Sequence, residues 1–94
     1  MSRQRFDSVW DAIEDTAADA ASMKARSAIM MALQEEIATW NASRMAVAAR
    51  LGLTEPRLDE LLRGTINLFT LDALTGLATA AGLEVTWHVA RKAA

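Results

Sequence analysis

Residues 44–63 read RMAVAARLGLTEPRLDELLR, and the fold is decided by this stretch. Arg44 to Leu51 spaces its apolar residues as a short amphipathic helix, and Gly52 stops it. Thr54 opens a second helix with Glu55 and Pro56 in its first turn. A missing amide hydrogen costs little there, and a carboxylate complements the helix dipole. This second helix is expected to end near Arg63, at Gly64. Two helices joined by so tight a turn need a small residue at their contact, a glycine between them and apolar residues at fixed offsets. Ala48 is the small contact and Gly52 the turn, while Val47, Leu51, Leu53, Leu58 and Leu61 fall on the inward positions. These are the requirements of a helix-turn-helix unit, in which the first helix crosses the backbone of DNA and the second enters the major groove.

Upstream, Phe6, Val9, Trp10 and Ile13 recur at helical spacing among acidic residues, with Asp7 placed to cap them. Thr16-Ala17-Ala18-Asp19 has the form of a capping box, so a separate helix is expected from Ala17 to Trp40. Met23, Met30, Leu33, Ile37 and Trp40 draw one apolar stripe along it, a core face. Met30, Met31 and Met45 are expected to fill gaps in the core. Asn41 suits a left-handed helix end and Ser43 the next N-cap. Downstream, Thr70 reads as an N-cap with Phe69 and Leu74 as a hydrophobic staple, and Gly82 as the closing glycine. Leu71, Leu74, Leu77 and Ala78 share the face between them, which makes five helices in all.

The chain ends differently. Leu83-Glu84-Val85-Thr86-Trp87-His88-Val89 alternates apolar and polar residues and is expected to form a strand. A single strand leaves its backbone groups unpaired, and the simplest partner is the same strand of a second copy across a two-fold axis. Leu83, Val85, Trp87 and Val89 would then be the dimerisation residues, with Arg3–Phe6 the internal alternative as a pairing partner.

Composition sets outer bounds. Ninety-four residues make one small domain, and 20 of them are alanine, which favours closely packed helices. With no Cys, no Tyr and one His, there is little from which to build an active centre, so no enzyme is expected, no metal site and no cofactor. His88 stands alone on the polar side of the alternating segment. No apolar run approaches the ~20 residues that span a bilayer, and no signal peptide follows Met1, so a cytoplasmic protein without a membrane partner is expected. Net charge is −2, unevenly spread. In residues 1–22, Arg3 and Arg5 face Asp7, Asp11, Glu14, Asp15 and Asp19, a net −3, whereas residues 23–94 carry +1. An acidic arm, residues 1–22, thus precedes a nearly neutral domain, residues 23–94.

ARLGLTEPRLDELLRG at 49–64, followed by INLFTLDALTGLATAAGLEV at 66–85, resembles the XRE (Cro/repressor-type) helix-turn-helix proteins. FDSVWDAIEDTAADAASMKARSAIMMAL at 6–33 is similar to the N-terminal segment of their HigA-like antitoxin subgroup. The resemblance implies a mostly α, lambda-repressor-like domain that acts as a homodimer. It also implies an antitoxin that represses its own operon at a palindromic double-stranded DNA operator. The antitoxin would neutralise a small basic toxin, an mRNA-cleaving RNase of the RelE/HigB kind.

Carried over position by position, the DNA-binding residues are Arg44, Thr54, Glu55, Pro56, Arg57, Asp59 and Arg63, with Glu60 on the same surface. Glu55 stands where relatives often hold Gln, and Asp59 where they often hold Ser. Residues 54–63 therefore carry a net −1, which is unfavourable beside phosphates, although a glutamate can accept from a cytosine amino group. Phe6, Trp10, Asp11, Ile13 and Glu14 are the candidate partner-binding residues, apolar anchors for a groove with acid around them. The alternative is that the same stripe folds back on its own domain or on the dimer mate. The alternative to a regulator is a protein-interaction module whose helix-turn-helix no longer reads DNA.

Overall fold

The computed structural model describes the backbone of residues 9–92 and the side chains of residues 17–92. It consists of α1 (Val9–Ala38), α2 (Arg44–Leu51), α3 (Glu55–Arg63), a 3-10 turn (Ile66–Leu68) and α4 (Leu71–Ala80). Among the described residues the expected five helices are therefore four, because the first two are one. Thr16 lies inside α1, and the capping box does not interrupt it. Ala12, Ala17, Ala18, Ala20 and Ala21 make continuation of the helix cheap on both sides, which outweighs a local cap. The boundary expected between residues 22 and 23 consequently falls within a continuous helix.

Thirty residues make α1 about 45 Å long. Its C-terminal half packs, whereas most described side chains from Ala17 to Lys24 are exposed. Ile29, Met30, Leu33 and Ile37 are buried, whereas Ala17–Ala21, Met23 and Lys24 are exposed. The apolar stripe is thus core from Ile29 onward, with Trp40 packed on its edge and Met23 outside it. Met30 fills the core as expected. Met31 and Met45 do not, at 58% and 69% exposed, because the helical turn places them on the outer faces of α1 and α2.

The remaining core comes from Val47, Ala48 and Leu51 of α2, Leu58 and Leu61 of α3, then Phe69, and Leu74, Leu77 and Ala78 of α4. Helix boundaries follow local chemistry. Ser43 Oγ accepts the amide of Ala46 at 3.1 Å, Thr54 Oγ1 that of Arg57 at 3.3 Å, and Thr70 Oγ1 that of Ala73 at 3.0 Å. Asn41 is left-handed, with φ 51°, as its place after α1 suggests. Gly52 takes φ 71° between α2 and α3, which lets the Leu53 amide turn back to the Ala48 carbonyl at 2.8 Å. The Leu83 amide closes α4 in the same way, on Ala78 at 2.8 Å.

No strand is present among the described residues, and this corrects the sequence expectation. Residues 83–92 form no ladder. Leu83 and Val85 instead pack on the core of their own chain, in a groove shared with Ala28, Ile29, Ala32 and Ala78. The alternation of residues 83–89 thus records one side facing helices rather than a face of a sheet. It fades outward, leaving Trp87 61% and Val89 93% exposed. The alternative pairing segment, Arg3–Phe6, lies outside the described residues.

Candidate nucleic-acid interface

The candidate surface is built from α2, the turn at Gly52 and α3. Leu58 and Leu61 anchor α3 inward and are fully buried. The rest of α3 is consequently turned out: Thr54, Glu55, Pro56 and Arg63 are exposed, and Arg57, Asp59 and Glu60 are half-buried. Pro56 fixes its own φ in the first turn and Thr54 caps it, so Glu55 stands on a preorganised helix start.

Polar residues of α1 set the position of α3. Gln34 Nε2 donates to the Leu61 carbonyl at 3.0 Å, which also accepts the Gly64 amide at 3.1 Å, so the side chain bonds directly to the end of α3. Arg26 Nη1 donates to the Ile66 and Phe69 carbonyls, both at 3.2 Å, and so holds the segment after α3. Sequence reading did not single out either residue. Their signal lies in the helical period, since Arg26 follows Met23 by three and Gln34 follows Met30 by four, on the inward stripe. Polar side chains at such positions tie α1 to the backbone carbonyls of the segments packed against it.

Two of the three arginines expected to face DNA are engaged within the protein. The Arg44 guanidinium, at the start of α2, meets the Asp59 carboxylate in the middle of α3. Arg57 Nη1 donates to Glu60 Oε1 at 2.9 Å, and the same guanidinium lies 3.9 Å from the centroid of the Phe69 ring. Arg63 is in no ion pair among the described residues. It lines a recess of about 310 Å³ with Arg44, Asp59 and Leu62, in which two guanidiniums outnumber one carboxylate. This recess carries local positive charge on a helix that is net negative.

Of the other expected site residues, Phe6 lies outside the described residues. Trp10, Asp11, Ile13 and Glu14 lie on the first turns of α1, and their side chains are outside the described set. Among the described residues, no group of His, Cys, Asp and Glu is arranged to hold a metal ion, and no helix is long and apolar enough to cross a membrane.

A family model for a helix-turn-helix domain matches residues 12–90. The chain belongs to that helix-turn-helix family. A solved chain named as an XRE family transcriptional regulator superposes on this helix-turn-helix protein with a TM-score of 0.72 at 27% identity, covering 79% of this chain and 83% of that one. No curated protein matches it significantly. The XRE-type reading of 44–63 therefore agrees with both findings, and the matched span includes most of α1 and the segment after α4.

Proposed function

We propose that this protein is a sequence-specific, DNA-binding transcriptional regulator that presents α3 to the major groove. The observation that carries this reading is the α2–Gly52–α3 unit, which buries Leu58 and Leu61 and leaves Thr54, Glu55, Pro56 and Arg63 on the outward face. The first turn of such a helix is the part that reaches base edges. Thr54, Glu55 and Pro56 are accordingly assigned to bases, and Arg44 and Arg63 to phosphates. Arg57 and Asp59 contribute by holding the surface in shape.

Two finer roles belong to the same proposal. A two-fold operator calls for a homodimer, and the exposed Trp87 and Val89, among the exposed large apolar residues, are assigned to it, with Leu83 and Val85 fastening their segment to the domain. The acidic first segment, with Phe6, Trp10, Asp11, Ile13 and Glu14, is assigned to a small basic toxin protein. Its net −3 charge and the likeness to HigA-like antitoxins support this, as does the exposure of residues 17–21 of α1.

Footprinting on the DNA upstream of the protein's own gene tests the reading. Two protected half-sites are expected about 34–36 Å apart, or a multiple of that. The competing reading, a module that no longer reads DNA, draws on the net −1 of α3 and its internally paired arginines. Uniform or absent protection would favour it.

A further inference from the structure

We propose that Glu55 selects a cytosine in the bound DNA, an inference that rests on the DNA-binding reading above. Helix α3 carries three carboxylates, and the structure distinguishes them. Asp59 is met by Arg44, and Glu60 accepts from Arg57. Both are half-buried, and each has a cation of its own chain to answer it. Glu55 is exposed and in no ion pair among the described residues. It also occupies the first turn of α3, the position closest to base edges in this geometry.

The chemistry of the groove then narrows the choice of base. An ionised carboxylate only accepts hydrogen bonds. In the major groove, guanine offers two acceptors and thymine offers one beside a methyl group. Adenine offers an amino donor, but next to the N7 acceptor, which opposes a carboxylate. Cytosine alone presents its amino donor with no acceptor of its own base on the groove edge. An unanswered carboxylate among phosphates is disfavoured, so Glu55 also penalises every site that lacks the cytosine. The capped, proline-containing first turn fixes the backbone from which the carboxylate reaches.

The test is selection from random duplex DNA by the full chain, by Glu55→Gln and by Asp59→Asn. The wild-type chain is expected to enrich a motif with one cytosine per half-site, preferred roughly 5- to 150-fold over other bases there. Glu55→Gln is expected to change that position alone, towards adenine, whose donor–acceptor pair an amide matches. Asp59→Asn releases Arg44 and is expected to change overall affinity without changing which base is preferred at any position. An identical motif from the wild type and Glu55→Gln would overturn the assignment while leaving DNA binding intact. A change in base preference with Asp59→Asn but not Glu55→Gln would move the reading to Asp59. If no motif is enriched by any of the three, the DNA-binding reading itself fails and the inference fails with it.

Discussion

The Arg57 guanidinium lies 3.9 Å from the centroid of the Phe69 ring while its Nη1 holds Glu60 at 2.9 Å. A residue expected to reach for DNA thus joins α3 to the buried aromatic ahead of α4. Phe69 is 2% exposed, and the arginine stem covers an edge of the core. Arg57→Ala is expected to lower stability by about 0.5–1 kcal/mol, a figure appropriate to a partly exposed cation over a ring. The salt dependence of DNA binding is expected to stay as it was. Urea denaturation and a salt titration read the two effects separately, and unchanged stability with a shallower salt slope would return Arg57 to the interface.

Arg63 is the counterpart. It is exposed, in no ion pair among the described residues, and at the last turn of α3. Arg63→Ala is expected to leave the denaturation midpoint in place. It should reduce the slope of log affinity against log salt by about one phosphate contact. An unaltered slope would remove Arg63 from the contact surface.

Gly52→Ala isolates a backbone cost. The added Cβ would meet nothing within 4 Å, so space is not the obstacle. The obstacle is φ 71°, where an L side chain crowds its own carbonyl at roughly 1–2 kcal/mol. Chemical denaturation should show a loss of that size, with Gly52→Asn losing less. An alanine variant as stable as the parent would mean the turn can relax to another conformation.

Leu58→Ala tests the anchor of α3. The side chain is fully buried in the cluster formed with Val47, Leu51, Leu61 and Leu74. Truncation is expected to cost about 2–5 kcal/mol, much of the 5–15 kcal/mol total of a typical small domain. Circular dichroism during thermal melting would show a strongly lowered midpoint, and a shift of a degree or two would mean that α3 is held chiefly by Gln34 and the helix caps.

The helix-turn-helix was legible in the sequence because its boundaries are local events. Ser43, Thr54 and Thr70 each cap the amide three residues on, and Gly52 turns the chain within one residue. Such signals need no knowledge of the rest of the molecule. Thr16 gave the same kind of signal and was overridden, because alanines on either side favour an uninterrupted helix. The alternation at 83–89 misled for a different reason. Periodicity records which side chains are covered but not what covers them, and here Leu83 and Val85 lie against helices. Of the pairs that decide which charges remain available, Arg57 with Glu60 is a local helical pair, whereas Arg44 with Asp59 and Arg57 with Phe69 join residues 15 and 12 apart along the chain. No local pattern announces the two distant ones.

Fluorescence anisotropy of the full chain on DNA from upstream of its own gene, against scrambled DNA at two salt concentrations, tests the central claim most directly. Preference for the native fragment, weakening as salt rises, is the expected result. Equal affinity for both fragments, or none for either, would contradict DNA reading by α3.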